Sequence, residues 1–270
     1  MSTFSSPPTK FSLSSFGTVH WIGFKTLYLK EVRRFINVWT QTLLAPVIST
    51  LLFLAIFILA LGHNEQIDQV TYIEFLAPGL IMMAMMQNAF VNTSSSILLA
   101  KIQGNIVDLL MPPLRPIELT LALALGGLTR GIMVGFFVGC SIAFVSPLSF
   151  AHIFYVVFYS IMACLMLSLL GIISGILSYK FDHLSAITNF VITPLSFLSG
   201  TFYSTSKLPE FWQKLAHFDP FFYMIDGFRF GFIGHADSSL HIGIIMIALG
   251  NLILIICVHR LFVKGYRLKN

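Results

Sequence analysis

Residues 43–62 read LLAPVISTLLFLAIFILALG, an apolar run with no polar face. At about 1.5 Å of rise per residue, ~20 helical residues cover the roughly 30 Å hydrocarbon core of a bilayer. A soluble fold gives such a run no home, because a helix on a water-facing surface needs a polar stripe. Comparable runs recur, and candidate spans lie at 39–62, 72–93, 117–145, 153–178, 184–202 and 241–263. Only 10% of the residues are charged, against about 25% in an ordinary soluble domain. The sequence therefore predicts an all-α polytopic membrane protein with six transmembrane helices and no independent soluble domain.

The positions of the cations predict the topology. Lys10, Lys25, Lys30, Arg33 and Arg34 precede the first span, while the 63–71 loop is acidic and lacks Lys and Arg. By the positive-inside rule the N-terminus is cytoplasmic. Six spans then bring Lys101, Arg115, Lys180, Arg260, Lys264, Arg267 and Lys269 to the same side and leave Lys207, Lys214 and Arg229 outside. The net charge of +5 is thus spread along span ends, which argues against a nucleic-acid surface. No cleaved signal peptide is expected, since the first long apolar run comes late and exceeds a secretory h-region. Cys140, Cys164 and Cys257 lie inside apolar runs as small hydrophobes, with neither disulfide nor zinc spacing.

The chain divides into a polar tail (1–15), an amphipathic cytoplasmic helix (16–36), a six-helix domain (37–264) and a cytoplasmic tail (265–270). In the amphipathic helix Trp21, Phe24, Tyr28, Val32 and Phe35 share one face and Thr26, Lys30, Arg33, Arg34 and Asn37 the other. It reads as a membrane-surface anchor, as a docking surface, or as both. A second amphipathic helix is predicted at 97–111, with Leu99, Ile102, Ile106, Leu109 and Leu110 periodic among Lys101, Gln103, Asn105 and Asp108, stopped by Pro112, Pro113 and Pro116. That helix is either a rigid lever or an ordinary interfacial loop helix. The external segment 203–240 is rich in aromatics and broken by Pro209, Pro220 and glycines, and is expected to fold back in re-entrant fashion. Its rings make an interfacial belt or an external gate.

Gly127, Gly131, Gly135 and Gly139 repeat every four residues in the third run, which favours close helix packing within the chain over a dimer seam. Gly171 and Gly175 in the fourth run point the same way. Arg130, within the third run, must face protein, a wet cavity or an interface. Glu74, Asp226 and Arg229 are placed near outer boundaries, where hydration could satisfy them. Ser185, Asn189, Thr193 and Ser196 form a polar stripe beside Pro194, suited to packing or to a substrate cavity. No metal-ligand spacing, nucleophile elbow or phosphate loop occurs, and His152, His183 and His259 are isolated, so no catalytic residue is assigned. An ion-coupled transporter would place carboxylates near mid-membrane, and here they cluster at span ends. That class, and less so a membrane-embedded enzyme, are the alternatives to the reading below.

FLAPGLIMM at 75–83, KIQGNIVDLLMPPLRP at 101–116, PLSFLSGTFYSTSKLP at 194–209 and FDPFFYMIDGFRFGFIG at 218–234 resemble, in order and spacing, bacterial type 2 ABC exporter permeases of the nodulation, polysaccharide and drug export type. The resemblance implies a homodimer in the bacterial inner membrane with two cytoplasmic ABC ATPase subunits, which would bind the ATP and magnesium. It implies docking and coupling through Lys30, Arg33 and Arg34, through Lys101, Gln103, Asn105 and Asp108, and through Tyr179, Lys180, Asp182 and His183. By the same analogy substrate passes the second and fifth spans, and Phe202, Tyr203, Phe221, Phe222 and Tyr223 close the outer side.

Overall fold

Among the described residues five helices are long and apolar enough to cross a membrane: Thr40–Leu59, Tyr72–Ile102, Pro116–Ala143, Ile153–Leu177 and Leu240–Lys264. The computed structural model describes residues 20–61, 66–67, 70–110, 114–205 and 208–266. The predicted N-terminal tail, residues 267–270 of the C-terminal one, Pro112, Pro113 and Lys207 lie outside that set, as do the side chains of Leu109 and Leu110. In chain order the helices are α1 (Trp21–Ile36), α2 (Ala45–Leu61, entered through a π turn at Thr40–Leu44), α3 (Tyr72–Ile102), α4 (Ile106–Leu110) and α5 (Pro116–Ala143). They continue as α6 (Ile153–Leu177), α7 (Phe181–Ile187), a π turn (Thr188–Ile192), α8 (Thr193–Leu198), α9 (Glu210–Phe218), α10 (Pro220–Ile233) and α11 (Leu240–Lys264). A two-residue antiparallel ladder, Gln66–Ile67 with Val70–Thr71, joins α2 to α3.

Helix α3 is the axis of the bundle, packed between α5 and α6 with α10 across its first half. Close approach of α3, α5 and α6 requires glycine. A Cβ on Gly127 would stand 2.7 Å from Thr93 Cγ2 and 2.9 Å from the Ala89 carbonyl, and one on Gly131 would stand 2.6 Å from Cys164 Sγ. Gly135 backs onto Met85, and Gly171 and Gly175 make the same approach from α6 to α3. Gly139 differs, with Ile81 at an ordinary 3.7 Å. The predicted second span ends too early at 93, because the run Asn92-Thr93-Ser94-Ser95-Ser96 stays helical. Ser94 returns its hydroxyl to the Phe90 carbonyl (2.8 Å) and Thr93 gives its own to the Ser168 carbonyl on α6 (2.8 Å). Polar side chains spent in this way do not interrupt a membrane helix.

Three other elements depart from expectation. The helix predicted at 97–111 is two pieces, since α3 runs on to Ile102, the chain turns at Gly104 (φ +74°), and α4 follows. Glycine carries that left-handed turn without the Cβ clash. Of the periodic apolar residues, Ile102 is half exposed, whereas Ile106 is buried. The fifth predicted span, 184–202, is not among the five long apolar helices. It is a broken rod of three segments of 7, 5 and 6 residues (α7, π turn, α8) that ends in a turn at Gly200 (φ +77°). Pro194 lacks the N–H that would close a regular turn, and the wide π turn precedes it. In the external segment, α10 is no surface belt: eleven of its 14 residues are buried against α3, α6 and α11.

Candidate functional site

At the end of the bundle that carries α1, helix α1 lies along α5 and buries Leu27, Glu31 and Phe35. The buried edge therefore differs from the predicted aromatic face, since Trp21 is 68% exposed and Tyr28 bonds Thr129 Oγ1 (2.9 Å). Arg34 is not on the free basic face. Its guanidinium pairs with Glu31 (3.1 Å) and donates to the carbonyl (2.7 Å) and Oδ1 (3.0 Å) of Asn92 on α3. Glu31 also accepts from Ser96 Oγ at 2.8 Å. These bonds tie α1 to the α3–α5 seam, and Lys30 and Arg33 remain exposed. Arg130 finds a partner in Asn88, donating from Nη2 to Oδ1 at 3.0 Å.

Lys101 likewise turns inward. Its ammonium donates to the carbonyls of Ile176 (2.6 Å) and Ser178 (2.7 Å) and stands 4.9 Å from the centre of the Tyr179 ring. A cation over the last carbonyls of α6 satisfies acceptors that the helix itself leaves unpaired. Gln103, Asn105 and Asp108 are exposed around the Gly104 elbow, and Tyr179, Lys180, Asp182 and His183 are exposed at the start of α7. Lys101 joins these two groups structurally by fastening the end of α3 to the α6–α7 connection.

Uncovered faces that carry polar groups occur on two elements of the described residues. On α2 and its π turn Thr40, Gln41, Ser49, Leu52 and Ile56 are exposed, and on the broken rod Ser185, Asn189, Phe190, Val191 and Phe197. The predicted polar stripe does not share one environment. Ser185 and Asn189 face outward, Thr193 is half-buried, and Ser196 is buried and returns its hydroxyl to the Ile192 carbonyl at 2.8 Å. The extra residue in the π turn rotates the two halves of the stripe apart.

The opposite end is closed by a network that sequence reasoning placed in water. Asp226 and Arg229 are 1% and 3% exposed. Arg229 donates to the carbonyls of Gly200 (2.7 Å) and Phe75 (3.2 Å) and lies 3.7 Å from the centre of the Phe75 ring. Asp226 accepts from the Ser238 hydroxyl (2.6 Å) and from the backbone N–H groups of Asp237 and Ser238 (2.9 Å each). Asp219 caps α10 through the Phe221 N–H and accepts from Ser199 Oγ. Burial pushes both carboxyls above the usual Asp value, and the donated hydrogen bonds pull the other way. Glu74 caps the start of α3 through the Thr71 N–H. Phe202 stacks on Phe57 (4.9 Å between ring centres), and Tyr203 donates to the Leu198 carbonyl. Phe221, Phe222 and Tyr223 are core residues, and α9 lays Phe211, Trp212 and Phe218 on the surface.

Sequence reasoning missed Glu31, Asn88, Asn92, Ser96, Asp219 and Asp237. The polar run at 92–96 inside an apolar span was a legible signal for part of this set. Among the described residues no three His, Cys, Asp or Glu groups gather as metal ligands. The geometry is that of a polytopic helical membrane protein, with a tied interfacial helix at one end and a sealed polar cap at the other.

The chain belongs to the ABC-2 type transporter family, whose model matches residues 22–233. It is a membrane permease of that family. It is 37% identical over 223 residues to the inner membrane transport permease YadH of Escherichia coli (strain K12), covering 82% of this chain and 87% of that one. It is 26% identical over 229 residues to nodulation protein J of Rhizobium leguminosarum bv. viciae, covering 82% and 88% of the two chains.

Proposed function

We propose that the chain is the membrane-spanning half of an ATP-binding cassette exporter in the bacterial inner membrane, acting as a homodimer with two separate ATPase subunits. The carrying observation is the pair of uncovered faces. Gln41, Ser49, Ser185 and Asn189 are exposed on helices that otherwise present apolar residues, and within a bilayer such polar groups need a protein partner or water. Apposition of two copies across α2 and the α7–α8 rod gives these groups a shared, polar path for substrate. The α1 end is cytoplasmic, with both termini on that side, as the distribution of Lys and Arg favours. There the ATPase subunits meet Lys30 and Arg33, the elbow residues Gln103, Asn105 and Asp108, and the Tyr179–His183 stretch. They supply the ATP and magnesium sites, and this chain supplies two alternative packings that ATP-driven closure biases.

A test combines cross-linking with copurification. Ser49→Cys and Asn189→Cys, each in a background with Cys140 and Cys257 replaced by Ser, should form cross-linked dimers in membranes. Lys30→Ala with Arg33→Ala should reduce recovery of the ATPase subunit without reducing membrane insertion. A chain that stays monomeric and copurifies with no ATPase would refute the assembly.

A further inference from the structure

Toward the end of the bundle opposite α1, helices α5 and α6 part and leave a groove of about 680 Å³, a volume typical of sites that hold small ligands. The glycine repeat of α5 marks where it opens. At Gly127 and Gly131 atoms of α3 and α6 crowd the place of the absent Cβ, whereas at Gly139 only Ile81 Cδ1 comes within 4 Å. Ile81 and Met85 of α3, both buried, form the floor. Gly139 and Cys140 of α5 stand on one side, and Val157 and Ile161 of α6 on the other. Phe150 and Phe232, with ring centres 4.8 Å apart, line it near the connection between the two helices.

The lining decides what can occupy the groove. Ser160 is its one hydroxyl, and that group is spent on the Val156 carbonyl at 2.7 Å. A hollow without unspent polar groups stays dry, and a polar solute finds no partner in it. Phe136, Val157 and Ile161 at its edge are exposed, and α5 and α6 are both among the helices apolar enough to cross a membrane. In a bilayer the groove therefore opens sideways onto hydrocarbon. Its depth fits the same medium: along α5 it reaches from Ile132 to Ala143, the last residue of the helix, a rise of about 16 Å, or half of the roughly 30 Å hydrocarbon core. An empty hollow forfeits dispersion contacts that a flexible chain recovers. No residue of α2 or of the α7–α8 rod lines it, so it is separate from the faces assigned to a second copy.

We propose that the groove between α5 and α6 holds one acyl chain of a phospholipid from the leaflet at the end opposite α1. The chain takes the place of the side chains that Gly135 and Gly139 lack, and it fills the gap where α5 diverges from α3. The site depends neither on the ATPase subunits nor on the substrate.

The test uses the full chain in phosphatidylcholine nanodiscs containing a trace of phosphatidylcholine with a photoactivatable diazirine midway along one acyl chain. After illumination, labelled peptides are mapped by mass spectrometry, and the exposed face of α11 around Ile245, Leu249 and Ile253 gives the level of ordinary bilayer contact. Labelling at 132–143 and 156–161 should exceed the α11 level roughly tenfold, the ratio that ten or so additional carbon contacts would give. Gly139→Phe places a ring in the groove, and should reduce labelling there to the α11 level while leaving α11 unchanged. Ser160→Phe fills the same groove from α6 and should do likewise, which keeps the test open if either ring disturbs folding. Equal labelling of groove and α11 in wild type, or groove labelling that survives in a folded Phe variant, overturns the proposal. So does a Cys140–Cys140 disulfide formed in membranes by a Cys257→Ser chain, because it would place a second copy over the groove.

Discussion

Gly127→Ala and Gly139→Ala make the same chemical change in the same four-residue repeat, and the structure assigns them opposite outcomes. At Gly127 the new methyl meets Thr93 Cγ2 at 2.7 Å and the Ala89 backbone carbonyl at 2.9 Å, with Ser168 Oγ closer still. A backbone oxygen cannot rotate away, so α5 must move off α3, and overpacking of this kind costs about 1–3 kcal/mol. At Gly139 the nearest atom, Ile81 Cδ1, is 3.7 Å off, and alanine gains up to ~1 kcal/mol of helix propensity. Alanine's propensity gain is common to both sites, so the two variants should differ by the steric cost alone, about 1–3 kcal/mol, or roughly 2–12 °C in Tm. Cys164 is fully buried while Cys140 and Cys257 are exposed. With the exposed pair changed to Ser, a thiol-reactive fluorophore reports unfolding through Cys164 alone. Equal shifts for the two alanines would refute the assignment of glycine to steric contact in the first half of α5.

Lys101→Met should lower stability by about 2–3 kcal/mol, because the carbonyls at the end of α6 lose a charged donor, and Lys101→Arg should recover part of it in the same melting assay. Arg34→Ala leaves Glu31, 2% exposed, without its counter-charge and should cost about 3 kcal/mol, whereas Lys30→Ala should move Tm little. Equal shifts would place Arg34 on the free face after all. Arg229→Met removes the donor shared by Gly200 and Phe75 and should loosen the α8–α10 turn, which is read as faster hydrogen exchange at 199–205 with α5 unaffected.

The apolar runs were sufficient to reveal a helical membrane protein, since their length alone excludes water as the solvent. The glycine repeat, the basic interfacial helix and the family motifs were also legible in one dimension. What the chain's order could not reveal was where side chains end. Lys101 and Arg34 read as surface cations because they follow polar periodicity, yet each reaches carbonyls on another helix more than 50 positions away in sequence. Asp226 and Arg229 read as hydrated because they lie near outer boundaries, and tertiary packing instead folds α10 into the bundle. The π turns at 40–44 and 188–192 rotate residues that a uniform helical period keeps on one face. Hydropathy therefore determined the solvent and the class of fold. The tertiary structure decided which polar groups are spent inside and which are left to meet a partner, because that depends on contacts between helices distant in sequence.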